Sequence, residues 1–318
     1  MGIEAVGLVG LGWMGRGIAA CLAAHGLEVR GVDVDSERRE AAQSHVAATL
    51  SQMRAQGLLS SEDYAEALGK FRTTAEMAPL ASCDFAIESV SEDFQVKQHV
   101  LRDLEKVLHP GTPIATNTSA IPITELQSGC RFPQRVIGMH WAEPCHLTRF
   151  LEIIRGAHTD DATTELTVQL GRQAGKDPCI VQRDVDGFIV NRLAYALYRE
   201  AFWLLENEVA DVETIDRAFV NAISVWANVA GPFRWMDITG LPAYAAAMER
   251  LFPKLSTQTD LPETMRRLME SGAQGVSNGR GFYDYGPDDA EHWKQVLSDN
   301  VLFGQPSTGT SSSTKARQ

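Results

Sequence analysis

Six residues near the start of the chain, Gly10-Leu11-Gly12-Trp13-Met14-Gly15, fit the pattern GxGxxG. The chemistry such a turn serves is phosphate binding. Gly10 permits the tight turn, Gly12 lets the backbone approach a pyrophosphate, and Gly15 lets a helix pack closely on a strand. Free N–H groups at the start of that helix then face the phosphates. Asp33 stands 23 residues after Gly10, closing a second apolar run. A carboxylate there hydrogen-bonds ribose hydroxyls and repels a 2′-phosphate, which favours NAD over NADP. Arg38 and Arg39 pull weakly the other way. Trp13 and Met14, inside the loop, count with Gly10, Gly12, Gly15 and Asp33 as cofactor contacts. A glycine turn alone is a weak signal; the strand before it, the helix after it and the acid beyond make it a dinucleotide site.

The elements that must position these groups alternate. Short apolar runs at 3–9, 27–33, 84–88, 113–116, 136–140 and 150–154 read as strands, and 15–25, 36–56, 92–108 and 161–174 as helices. That alternation predicts an α/β fold, a Rossmann-type doubly wound, largely parallel sheet. The pattern changes near residue 184. Residues 188–206, 211–222, 240–252 and 262–271 read as helices with no strand alternation, which predicts an all-α C-terminal domain. The expected division is 1–184 for the nucleotide-binding domain and 185–300 for a helical substrate and dimerisation domain. The Ser/Thr/Gly-rich stretch at 301–318 is expected to be a disordered tail.

Composition narrows the classes. The net charge of −12 and pI near 5.2 give no basic footprint for nucleic acid or an anionic membrane. No apolar run approaches a membrane span, and the N-terminus reads as strand and turn, not as a signal peptide. Five widely spaced cysteines without a CxxC pair fit free thiols in the cytoplasm. His140, Cys145 and His146 lack the spacing of a metal site, and no metal is expected.

Further motifs run in order down the chain: CDFAIESVSEDFQVK (83–97), NTSAIPI (117–123), GMHWAEP (138–144), LEII (151–154), GFIVNRL (187–193), GPF (231–233) and GRGFYDY (279–285). With the N-terminal loop they make the chain resemble the 3-hydroxyacyl-CoA dehydrogenase family. The resemblance implies NAD-dependent oxidation of a secondary alcohol to a ketone, and the reverse. It makes His140 the general base and Glu152 the carboxylate that orients it. Ser119 and Asn191 become the polar pair on the substrate oxygen, and Glu92 and Lys97 neighbours of the cofactor ribose and nicotinamide. It also implies a homodimer through the helical domain. The chemistry suits these types: alcohol oxidation sheds a proton, a neutral imidazole accepts it, and a carboxylate behind fixes the tautomer.

The chain departs from the family at several positions. The histidine motif, HFFNP in the family, reads His140-Trp141-Ala142-Glu143-Pro144, so Glu143 stands where an Asn faces the nicotinamide. Residues 36–56 contain no lysine; Thr49 and Gln56 stand near where a Ser and a Lys meet the CoA nucleotide, with Arg54 beside them. Asp186 replaces a frequent Pro, and Ser277 a Lys. Relatives on this scaffold oxidise small CoA-free hydroxy acids, among them gulonate, carnitine and vitamin B6-degradation dehydrogenases. In that case Arg149, between His140 and Glu152, is a candidate for holding a substrate carboxylate. A catalytically silent NADH-binding protein is the remaining, non-enzyme alternative.

Overall fold

The computed structural model describes residues 2–303. Strands and helices alternate from the start: β1 (Ala5–Val9), α1 (Trp13–Ala24), β2 (Glu28–Val32), α2 (Ser36–Ala55), α3 (Ser61–Lys70), β3 (Phe71–Thr74), β4 (Phe85–Glu88), α4 (Phe94–Val107), β5 (Ile114–Thr116) and α5 (Ile123–Gln127). Then come β6 (Val136–Trp141), β7 (Phe150–Ile154), α6 (Asp161–Gln173), β8 (Asp177–Val181) and α7 (Val190–Glu206). The eight strands form one sheet in the order β3-β2-β1-β4-β5-β6-β7-β8. Every neighbouring pair is parallel except β6 and β7.

Strands buried on both faces need apolar cover on both, and two cores supply it. Leu8, Phe85, Ile87, Met139 and Trp141 pack with Ile18 and Leu22 of α1 and Leu50 of α2. Val9, Ile114 and Ile154 pack with Leu101 and Leu104 of α4 and Ile123 and Leu126 of α5. Side chains cap several helix starts. Asp35 accepts from the Glu37 N–H, Asp93 from the Val96 N–H and Asp160 from the Thr163 N–H. The cap position of α1 is Gly12, which has no side chain to satisfy the first-turn N–H groups.

Contacts divide the chain into two compact units, Met1–Arg192 and Leu193–Gln318. Within the second, the helix expected at 211–222 is Val212–Ala218 followed by a π turn at Phe219–Ile223 and a further turn at Ser224–Ala227. Helices follow at Pro232–Thr239, Leu241–Leu251, Glu263–Glu270 and Asp289–Phe303. Residues 301–303, expected to begin a disordered tail, are the end of that last helix; the rest of the expected tail lies outside the described residues. The sequence reading missed α3, α5, β3, β8 and the helices at Pro232–Thr239 and Asp289–Phe303. β3 and β8 are four- and five-residue edge strands, β8 mostly exposed and β3 part-buried, and Pro178 sits inside β8. Edge strands need no alternation and tolerate proline, so they carry no periodic signal.

The glycines of the loop differ in what surrounds them. A Cβ on Gly15 would collide with the Gly10 carbonyl oxygen, whereas one on Gly12 meets nothing within 4 Å. Gly15→Ala is therefore expected to destabilise the fold by about 1–3 kcal/mol. Gly12→Ala should stay within about 1 kcal/mol of the parent. Chemical denaturation measures both.

Candidate active site

The antiparallel pairing of β6 with β7 sets His140 directly opposite Glu152. Their side chains meet: His140 Nδ1 lies 2.8 Å from Glu152 Oε2. The other oxygen, Oε1, accepts from the backbone N–H groups of Ile189 at 3.0 Å and Val190 at 2.9 Å. Burial pushes the Glu152 carboxyl up, but the His140 bond and these two N–H groups outweigh it and hold the group below the usual carboxylate range. An ionised carboxylate only accepts, so Nδ1 carries the proton and Nε2 is left with the free lone pair of a base. Phe150 packs edge-on against the imidazole at 5.6 Å between ring centres, and Phe188 at 5.9 Å.

Ser119 follows β5 and lines the main cavity of the first unit. Its loop is held by Glu92, whose Oε1 accepts from Thr118 Oγ1 at 2.5 Å, the Ser119 N–H at 2.9 Å and the Ala120 N–H at 3.2 Å. Burial raises the Glu92 carboxyl, but Thr118, Lys97 and the Ser119 N–H together bring it below its ordinary value. Asn191, in the first turn of α7, donates from Nδ2 to the Ser119 carbonyl at 2.9 Å. The fold thus joins Ser119 and Asn191, and joins His140 and Glu152.

The cavity has a volume of about 1090 Å³ and is lined by Gly10, Gly12, Trp13, Met14, Asp33, Glu92, Ser119 and Trp141, among others. Asp33 is buried; Oδ2 accepts from the Leu11 N–H at 2.9 Å and Oδ1 from the Asp35 N–H at 3.0 Å. Arg39 is spent on the Asp33 and Val34 carbonyls, and Arg38 pairs with Asp35 at 3.6 Å. These residues fit a dinucleotide. The cap of α1 is a bare glycine with open space beside it, its N–H groups are free for phosphate, and a carboxylate closes the ribose end.

Three expected contacts sit elsewhere. Lys97 is fully buried behind the cavity wall, with Nζ 3.0 Å from Glu88 Oε1 and 3.2 Å from Glu92 Oε2. It holds the residue that holds Ser119, because two buried or half-buried carboxylates need a cation between them. Glu143 is turned under α1. Its Oε2 accepts from the Cys145 N–H at 3.2 Å, and a Cβ on Gly17 would run into Oε1. Burial raises this carboxyl above its usual value. Arg149 is paired with Asp177 at 3.4 Å, at the outer edge of β8. Sequence reasoning passed over Asn117. It lines the cavity, accepts from the Trp141 N–H at 3.0 Å and donates to Ser89 Oγ at 3.2 Å. The NTSAIPI motif contained it, without a partner that sequence distance allows one to see.

Comparison with known proteins bears on this geometry. Residues 5–185 match the family described as 3-hydroxyacyl-CoA dehydrogenase, NAD binding domain, and residues 187–285 match its C-terminal domain. The chain belongs to the 3-hydroxyacyl-CoA dehydrogenase family. It is 33% identical over 287 residues to a 5-formyl-3-hydroxy-2-methylpyridine 4-carboxylate 5-dehydrogenase of Mesorhizobium japonicum, covering 90% of this chain and 92% of that one. It is also 33% identical over 284 residues to a 3-hydroxybutyryl-CoA dehydrogenase of Bradyrhizobium diazoefficiens, covering 89% and 96%. A solved pyridine carboxylate 5-dehydrogenase, described as an NAD+ dependent dismutase, superposes with a TM-score of 0.87 at 32% identity, over 95% of this chain and 97% of that one. The (S)-3-hydroxybutyryl-CoA dehydrogenase of Ralstonia eutropha gives 0.75 at 32% identity, over 89% and 99%. Membership of this family makes the chain an NAD-dependent oxidoreductase acting on CH–OH groups.

Two outcomes follow from the carboxylates. Glu152 has a folded value below its unfolded one near 4.5, so its contribution is present above that pH and is lost as the pH falls through the depressed folded value. Glu152→Gln should flatten that acidic limb of the unfolding free energy, which denaturant titrations at a series of pH values record. Lys97→Met leaves Glu88 buried without its cation and is expected to cost about 3–5 kcal/mol, read from the same titrations at neutral pH.

Proposed function

We propose that the chain oxidises the secondary alcohol of a 3-hydroxyacyl-type substrate to the ketone, and catalyses the reverse reduction. The observation that carries this reading is the His140–Glu152 pair, 2.8 Å apart and sealed by two backbone N–H groups. His140 Nε2 takes the hydroxyl proton, and Glu152 stabilises the imidazolium that results. In this reading the hydroxyl of Ser119, whose carbonyl is braced by Asn191, donates to the substrate oxygen and stabilises charge on it. NAD bound along the cavity supplies the acceptor for the hydride. Glu92 and Lys97 act one step back, keeping the Ser119 loop in place.

The identity of the substrate divides into two readings, and α2 favours the smaller one. Thr49 is buried, the Arg54 guanidinium lies 4.3 Å over the Tyr64 ring, and Gln56 Oε1 is buried. Thr49 and Gln56 are thus turned away from a phosphate, Arg54 is the one cation near these positions, and the helix has no lysine. A CoA nucleotide is anchored by such cations. A small CoA-free hydroxy acid needs none of them. The match to a pyridine carboxylate dehydrogenase fits this reading. We further infer a homodimer formed through the helical unit, where Leu193, Tyr195, Phe233 and Ile238 are 61%, 68%, 80% and 62% exposed. Five free cysteines with no disulfide among the described residues favour the cytoplasm.

The experiment is NADH production over a panel of small hydroxy acids and 3-hydroxyacyl-CoA thioesters. The expected result is turnover of a CoA-free acid with NAD, and loss of at least about a hundredfold in kcat for His140→Ala with NADH binding retained. Turnover confined to thioesters removes the small-acid reading. No turnover of either class, or full turnover without His140, removes the mechanism.

A further inference from the structure

The loop between β6 and β7, residues 142–149, is long for a hairpin connection, and such loops are ordinarily mobile. This one joins the strand of His140 to the strand of Glu152. It is folded on itself: the Leu147 and Thr148 N–H groups donate to the Pro144 carbonyl at 3.0 Å, and Thr148 Oγ1 to the Ala142 carbonyl at 3.1 Å. Those bonds give the loop a shape without tying it to the sheet.

Lys176 supplies the tie. It precedes β8 and is buried, 6% exposed. Its ammonium donates to the carbonyls of Cys145 and Thr148 and lies 5.2 Å from the centre of the Trp141 ring. The next residue, Asp177, donates its N–H to the Arg149 carbonyl at 2.8 Å. The segment entering β8 therefore grips the loop at its middle and at its end. Among the described residues no carboxylate forms an ion pair with this ammonium. Burying a charge so is costly, and a methionine would fill the same volume without that cost. What the cation provides is a pair of charge-assisted bonds to the loop carbonyls, attraction to the indole face, and favourable electrostatics toward the Glu143 carboxyl of the same loop and the Cys21 thiol of α1. Trp141 adjoins His140, donates its N–H to Asn117 and lines the cofactor cavity.

We propose that Lys176 is a positioning residue for the alcohol step: its buried ammonium fixes the 142–149 loop and Trp141, and through them the alignment of His140 with Glu152. This rests on the reading of that pair given above. The test uses the full chain and two readouts. The first needs no substrate: the downfield proton resonance of the His140 ring N–H shared with Glu152, assigned by its loss in His140→Ala. In Lys176→Met this resonance is expected to broaden or vanish, with amide exchange across 142–149 at least about tenfold faster and exchange in β1 and β4 unchanged. Titrated NADH should bind within about twofold of the parent. The second readout is kinetic: kcat on the best panel compound falls about tenfold or more, with KM for NAD within about twofold. If Lys176→Met does not fold, Lys176→Gln, which keeps a neutral donor, carries the same comparison.

An unchanged resonance with unchanged loop exchange overturns the proposal. So does faster exchange throughout the sheet, which would make Lys176 a general brace. A parent chain that turns over no panel compound sinks the functional reading, while the resonance and the exchange still decide this one.

Discussion

Everything at the site depends on one reversal of direction in an otherwise parallel sheet. Because β7 runs against β6, His140 and Glu152 face each other across a strand pair rather than lying at opposite ends of a crossover. A slip of one residue would turn the carboxylate to the other face of the sheet. The pairing also decides what happens after β8. Glu152 uses its second oxygen to receive the chain as it leaves the sheet, at Ile189 and Val190. The turn before them carries positive φ at Gly187 and at Phe188, 74° and 50°. Phe188 is a bulky residue in a conformation that costs energy, and it is retained where its ring is buried against His140. One carboxylate thus orients His140 and anchors the helix that carries Asn191.

The same device occurs a second time. Glu92 gives one oxygen to the backbone N–H groups of Ser119 and Ala120, as Glu152 gives one to Ile189 and Val190. Each carboxylate closes a turn that presents a polar side chain, and each is held ionised by a cation or imidazole on its other oxygen. The two turns meet in the bond from Asn191 to the Ser119 carbonyl. Loops that bear functional groups are usually the mobile parts of a fold. Here buried charge makes them part of the sheet, at the cost of burying Lys97, Glu88 and Glu152 almost completely.

The parts of this arrangement legible in the sequence are those with a local signal. The glycine loop, Asp33, the strands at 136–141 and 150–154, and the helix at 94–107 follow from periodicity and spacing. The residues set in the wrong surroundings share a different property. Lys97, Glu143 and Arg149 are long charged side chains, and the direction of each is decided by a neighbour that the fold, not the motif, brings close. Lys97 turns to Glu88 and Glu92, Glu143 to the space left by Gly17, Arg149 to Asp177. Motif position places a Cα; it does not say which neighbour offers the better counter-charge. Asn117 and Lys176 went unread for the converse reason, since they bond neutral groups far off in sequence, the Trp141 N–H and Ser89 hydroxyl for one and the Cys145 and Thr148 carbonyls for the other, which no local pattern reveals.

The His140–Glu152 pair and α2 are also separate parts of the first unit. His140, Glu152, Ser119 and Asn191 depend on β4 to β7 and the first turn of α7, which are braced to one another. Recognition of a large phosphate-bearing substrate would fall to α2, whose outer face touches none of those bonds. Residues there can change without disturbing the hydride geometry, because no hydrogen bond links them to His140 or Ser119. In this chain the change has gone toward neutrality: Thr49 sinks into the core, Arg54 stacks on Tyr64, and no lysine remains on the helix. With a net charge of −12 the rest of the surface supplies no attraction in their place. The reading of a small CoA-free substrate rests on this helix and not on the frame around His140 and Glu152.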